Sequence, residues 1–245
     1  MYAVQTKALT KTFKPKTAVD SLDLVVEEGE LFSLLGVNGA GKSTTIKMLA
    51  CLSKPTSGEA YVCGHNTATE SDAVKAVIGL SPQDTAVAEN LTVRENLVMT
   101  ARIYGLDKQK TEKRTLEMIE LFGMGEVENS RAKTLSGGWK RKLSIAMAMI
   151  AEPRVLFLDE PTLGLDVLAR RELWTAISSM KGKITIILTT HYMEEAEKLS
   201  DRIAIMVGGK IKAIGTLAEI EELSGESGLE NAFVKIAGGV SDEQN

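Results

Sequence analysis

Apolar positions along the chain fall into short runs separated by polar turns, and the runs change period several times. The opening residues alternate weakly, and Leu22, Leu24 and Val26 then place apolar side chains on one face of a strand. Glu28-Gly29-Glu30 turns the chain into Leu31–Leu35, an apolar run of strand length. A helix is expected over Thr44–Leu52, with short strands around Glu59–Val62 and Ala76–Leu80. From Leu91 the period becomes helical. Thr92 and Glu95 have the spacing of a capping box, Leu97, Ala101 and Tyr104 follow, and Gly105 stops the helix. A second helix, Thr111–Phe122, carries Leu116, Ile119 and Phe122 three apart.

Further on, Gly138–Ala151 reads as a helix with Leu143, Ala146, Met147 and Ile150 in one stripe, and Pro153 enforces the exit. Strand Val155–Leu158, helix Leu168–Met180, strand Thr185–Thr189, helix Met193–Leu199 and strands Ile203–Val207 and Ile211–Ile214 complete the alternation, with Gly208-Gly209 as a hairpin turn. Such alternation predicts an α/β core with a mainly parallel sheet covered on both faces. An N-terminal antiparallel β part precedes it, and a helical lobe at about 91–133 is inserted in it. Residues 1–223 are expected to form the domain, and 224–245, rich in Gly, Ser and Glu, a short flexible tail.

The 245 residues are enough for a substantial core, and 44% hydrophobic content argues against disorder. A net charge of −4 gives no reason to expect a nucleic-acid partner. Cys51 and Cys63 form no metal-ligand cluster and read as reduced structural thiols. Met1–Lys7 lacks the apolar stretch of a signal peptide, and no run approaches the roughly 20 apolar residues that span a bilayer.

Chemistry concentrates in two places. Gly36-Val37-Asn38-Gly39-Ala40-Gly41-Lys42-Ser43-Thr44 fits GxxxxGK[ST] between a strand and a helix. Its glycines let backbone N–H groups turn inward around phosphates, and the following helix adds the positive end of its dipole. Lys42 is expected at the β- and γ-phosphates and the Ser43 hydroxyl on Mg²⁺. Asp159 ends a buried strand, where a carboxylate supports Mg²⁺, and Glu160 beside it is placed to polarise the attacking water. An Asp-Glu pair is weak evidence alone. Beside this loop it indicates a P-loop NTPase core that binds a nucleoside triphosphate with Mg²⁺.

Further motifs in order make the chain resemble the nucleotide-binding domain of the ABC transporter superfamily. Leu135-Ser136-Gly137-Gly138 looks like its signature, Gln83 stands at the Q-loop, Gly164-Leu165-Asp166 at the D-loop and His191 at the switch histidine. Phe13 looks like the aromatic residue that stacks on adenine. The resemblance runs from about Val4 to Leu223. Thr190–Glu197, Ser200–Ala204 and Leu229–Phe233 look most like the ATP-binding subunits of ABC-2 type exporters, including drug and sodium export systems.

What the resemblance implies is a catalytic pair, Glu160 and His191, and a metal site of Ser43, Gln83 and Asp159. Phe13, Gly36, Asn38, Gly39, Ala40, Gly41, Lys42, Ser43, Thr44 and Gln83 would hold the nucleotide. Ser136, Gly137 and Gly138 would meet the nucleotide of an opposite subunit in a head-to-tail dimer, with Asp166 in the D-loop. It also implies a membrane permease as partner and a place on the cytoplasmic face of the membrane. Two positions depart from the pattern: Trp139 stands where Gln is usual and Leu163 where Ser is more common. An alternative within the superfamily is a soluble ATPase of iron–sulfur cluster assembly, translation or DNA repair. The repair type inserts long coiled coils between Lys42 and Asp159, which this chain has no room for. Complete catalytic residues weigh against a pure interaction module, and a simple P-loop kinase would leave Leu135–Gly138 and His191 without a role.

Overall fold

The computed structural model describes residues 2–238. Strand β1 (Tyr2–Phe13) pairs antiparallel with β2 (Lys16–Glu27), followed by β3 (Leu31–Leu35), α1 (Lys42–Leu49), β4 (Ser57–Val62) and β5 (His65–Asn66). Next come α2 (Ser71–Val77), β6 (Ile78–Ser81), α3 (Val93–Ile103), α4 (Lys108–Leu121) and α5 (Gly137–Met149). The order continues with β7 (Val155–Asp159), α6 (Val167–Ser178), β8 (Thr185–Thr190) and α7 (Met193–Leu199). Strands β9 (Arg202–Val207) and β10 (Lys210–Gly215) and helices α8 (Leu217–Ser224) and α9 (Leu229–Gly238) close it.

Two sheets result. The order β2-β1-β4-β5 is antiparallel throughout, and β10-β9-β3-β8-β7-β6 is parallel except for β10. The expected α/β class, with its antiparallel N-terminal part, is the observed one. Strand alternation explains the layering. In β7, Val155 and Phe157 join the cluster beneath the small sheet and α1, whereas Leu156 and Leu158 join the cluster of α3, α5 and α6. Both faces are covered, so β7 is apolar at every position until Asp159. Each large side chain buried there contributes about 1.5–3 kcal/mol.

The capping box at Thr92 and Glu95 is present, and Gly208 and Gly209 both take positive φ in the β9–β10 turn. Four expectations need correction. Ala76–Leu80 is not one strand, because α2 runs to Val77 and β6 begins at Ile78. Leu116 is 48% exposed, and α4 instead buries Thr111, Thr115, Met118 and Ile119. Tyr104 likewise faces outward. In α5 burial extends to Arg141, Lys142, Ser144 and Ile145 as well as Leu143, Ala146 and Ile150, whereas Met147 of the expected stripe is only half-buried.

The fourth concerns the region after Leu223, expected as a flexible tail. Leu229–Gly238 is a helix whose Leu229, Ala232 and Phe233 are buried against Leu35, Ile203 and Ile205. Apolar contact across the sheet orders it despite the glycines that flank it. Residues 239–245 of that tail lie outside the described residues.

Candidate functional site

The phosphate loop leaves β3 and enters α1 through a left-handed turn at Gly41, φ 107°. A Cβ there would lie 2.4 Å from the Ala18 carbonyl oxygen and 2.9 Å from Met206 Cε. A Cβ on Gly36 would meet the Met206 carbonyl oxygen at 2.3 Å. Backbone packed this close to β2 and β9 accepts no side chain. Gly41→Ala is therefore expected to destabilise the protein by about 2–3 kcal/mol in denaturant unfolding, from the strained φ and the clash together. A change under about 0.5 kcal/mol would show that the loop relaxes freely.

Lys42 points back along the loop and is buried. Its Nζ donates to the Gly36 carbonyl at 2.7 Å and the Val37 carbonyl at 3.3 Å, and pairs with Glu160 Oε1 at 3.1 Å. The other carboxylate oxygen of Glu160 lies 2.7 Å from His191 Nδ1. Glu160 takes φ 49° in the left-handed region, and its N–H donates to the Thr189 carbonyl (3.1 Å) and hydroxyl (3.0 Å). That conformation, costing about 1–3 kcal/mol in a non-glycine residue, turns the side chain out of line with β7 and toward Lys42.

Asp159 stays in register with β8 and accepts from the Ser43 hydroxyl at 2.8 Å and the Thr189 hydroxyl at 2.5 Å, both on Oδ1. A cavity of ≈ 480 Å³ brings Phe13, Asn38, Gly39, Ala40, Gly41, Lys42, Ser43, Thr44, Gln83, Glu160 and His191 together. Phe13 stands at the end of β1, 53% exposed, with the Lys11 ammonium 5.0 Å from its ring centre. Gly36 and Asp159 do not line the cavity; they support it, through Lys42 and Ser43.

Residues 19–163 match the sequence profile described as ABC transporter. The chain belongs to the ABC transporter family. Among curated relatives it is 42% identical over 228 residues to the daunorubicin/doxorubicin resistance ATP-binding protein DrrA of Streptomyces peucetius, covering 93% of this chain and 69% of that one. It is also 42% identical over 236 residues to the phospholipid-transporting ATPase ABCA3 of Homo sapiens. That alignment covers 95% of this chain and 14% of the relative. A solved ATP-binding subunit of an ABC transporter superposes with a TM-score of 0.86 at 32% identity, covering 96% of this chain and 99% of that one. The cassette MJ0796, solved as a dimer in a post-hydrolysis state bound to ADP and Pi, gives 0.79 at 27% identity over 87% of this chain and 98% of that one.

In this ABC protein the signature residues stand apart from the chain's own cavity. Ser136 caps α5, accepting from the Trp139 N–H at 3.5 Å, and Ser136 and Gly137 are exposed. A Cβ on Gly138 would come within 3.1 Å of Ala169 Cβ, so the missing side chain lets α5 approach α6. Asp166 caps α6 with bonds of 2.9 Å from the N–H groups of Leu168 and Ala169. Trp139 lies along α5 under the Lys142 ammonium, 4.4 Å from ring centre to Nζ, and Lys142 pairs with Glu172 of α6 at 2.7 Å.

Sequence reasoning missed Lys16, Ala18 and Glu195 here, and marked Leu163 only as a departure from the family pattern. Lys16, Ala18 and Leu163 line the cavity, with the Lys16 ammonium 3.9 Å from where a Gly39 Cβ would stand. Only nearness in space marks Lys16 and Ala18, since no spacing rule ties β2 to the phosphate loop. Glu195, fully buried in α7, accepts from Trp174 Nε1 at 3.0 Å, and burial pushes its carboxyl above the usual carboxylate range.

Proposed function

We propose that this chain is the ATP-binding, ATP-hydrolysing subunit that powers export through a separate membrane permease. The convergence of Lys42, Glu160 and His191 on one cavity lined by the phosphate loop carries this reading. Lys42 holds the β- and γ-phosphates, Glu160 orients water and takes its proton, and His191 contacts the γ-phosphate. Phe13 stacks on the adenine. Transfer goes to water, with the broken bond between the γ-phosphorus and the β,γ-bridging oxygen, and ADP and phosphate leave.

Ser43, Asp159 and Gln83 offer a hydroxyl, one carboxylate and an amide oxygen. No group of three or more His, Cys, Asp or Glu side chains suited to a metal occurs among the described residues. Such a sparse set of hard oxygen donors fits Mg²⁺, which takes one or two carboxylates and completes its shell with water and phosphate. The ion would neutralise charge on the β- and γ-phosphate oxygens.

A second copy, or a related cassette, is the proposed partner in a head-to-tail dimer, with Ser136, Gly137 and Gly138 of one subunit facing the nucleotide of the other. Dimeric solved cassettes support this, as does the exposure of Ser136 away from its own cavity. Likeness to separate ATP-binding proteins supports a pore in another chain, with this one on the cytoplasmic face; no helix among the described residues is long and apolar enough to cross a membrane. Mild-detergent extraction of the full chain is expected to recover an integral membrane protein of several spans, and the purified complex to release phosphate from ATP only with Mg²⁺. Recovery with soluble proteins alone would sink the transport reading, and no phosphate release the hydrolytic one.

A further inference from the structure

Arg141 sits in the second turn of α5, 5% exposed, and makes no ion pair among the described residues. Its fork donates instead to two consecutive carbonyls: Nη1 to Pro82 at 2.7 Å and Nη2 to Gln83 at 2.5 Å. Burial pulls the guanidinium below its usual value, and the charges of Asp159, Asp84 and Glu195 work the other way. A buried cation satisfied by neutral carbonyls is a costly arrangement, so the carbonyls it holds call for an explanation.

Those carbonyls open the segment that carries Gln83 into the nucleotide cavity. Gln83–Val87 lies outside the sheet and makes no backbone–backbone hydrogen bond among the described residues. Just before it, Ser81 Oγ meets Ser144 Oγ at 2.9 Å, a second tie between the same strand end and α5. A main chain without ladder bonds takes its position from side chains, and here the side chain is Arg141.

We propose that Arg141 is a positioning residue: its fork on the Pro82 and Gln83 carbonyls sets where the Gln83 side chain stands in the nucleotide cavity. Because Ser136 caps α5, the same fork ties Gln83 to the helix whose start is proposed to meet the opposite subunit. This rests on the reading of Gln83 as part of the ATP site.

The test uses the purified full chain with Arg141→Lys, Gln83→Ala and the double variant. Two quantities are read: kcat and KM for ATP, and the gain in ATP affinity that Mg²⁺ brings, by calorimetry. Arg141→Lys is expected to lower kcat about tenfold or more with KM within about threefold, and to reduce the Mg²⁺-dependent gain as Gln83→Ala does. The double variant should be no worse than the more impaired single, because the two act through one group. Wild-type kcat in Arg141→Lys beside an impaired Gln83→Ala overturns the proposal, as do effects that multiply in the double variant. An unimpaired Gln83→Ala removes Gln83 from the ATP site and takes this inference with it. If Arg141→Lys does not fold, an ester in place of the Gln83–Asp84 amide weakens the carbonyl acceptor without touching the arginine. That substitution should lower kcat severalfold, and an unchanged kcat overturns the proposal.

Discussion

Glu160→Gln is expected to lower ATP turnover about 10³-fold while leaving Mg·ATP binding intact, because a carboxamide keeps the shape but cannot take a proton. Geometry supports the choice of residue. Glu160 is pressed into the left-handed region against β8, so its carboxylate has little freedom to stand elsewhere. Both its oxygens are engaged, one by Lys42 and one by His191. The amide should still bond both neighbours, so thermal stability should change little. Phosphate release measures the first expectation, and light scattering with saturating Mg·ATP measures a second, accumulation of a nucleotide-bound dimer. Turnover within about tenfold of the parent would remove Glu160 as the base. A variant that binds Mg·ATP yet stays monomeric would sink the self-closing pair and leave pairing with a related cassette.

Shifting such a pair from 1% to 99% closed takes about 5.5 kcal/mol of differential binding. Charge-assisted bonds of about 1.5–3 kcal/mol each, from a capped helix start onto a γ-phosphate, add to that size with two or three contacts. Trp139 does not obstruct this arithmetic. Its ring turns along α5 beneath Lys142, and Ser136 remains exposed at the cap.

Much of the fold was legible in the chain because its signals were local. An all-apolar run ending in Asp-Glu marks β7, the Thr92/Glu95 spacing marks a helix start, and paired glycines mark the β9–β10 turn. Signals that depend on partners were lost. Thr111 and Thr115 occupy the buried face of α4, so hydroxyls masked the helical period and Leu116 was misplaced. In α9, Leu229, Ala232, Phe233 and Ile236 do keep helical spacing, but nearby Gly, Ser and Glu read as a loose tail. Within the site, the phosphate loop and Asp159 were readable from pattern. The left-handed Glu160, its pairing with Lys42 and the Arg141 fork join residues far apart in sequence, and only the folded sheet brings them together.

Lys42→Met is expected to weaken Mg·ATP binding about 10³-fold, the loss of two charge-assisted bonds of about 1.5–3 kcal/mol each. The present contacts explain why the effect should be large and confined to the phosphate end. Two loop carbonyls and Glu160 surround the Lys42 ammonium. If Lys42 holds the phosphates as proposed, a triphosphate arriving in the loop would take the place of Glu160, since the carbonyls belong to the loop itself. Phosphate binding and release of the carboxylate would then form a single exchange of partners, freeing Glu160 for water only with a substrate in place. Methionine matches the length of the stem but leaves the buried Glu160 carboxylate and two loop carbonyls without their cation, so the unfolding midpoint is expected to fall as well. Calorimetry with ATP and with AMP separates the contributions. AMP lacks the phosphates that Lys42 is proposed to hold, so its weak binding should hardly change. Equal losses for both nucleotides would point to a collapsed loop, and ATP affinity within about threefold of the parent would mean that the ammonium never leaves Glu160.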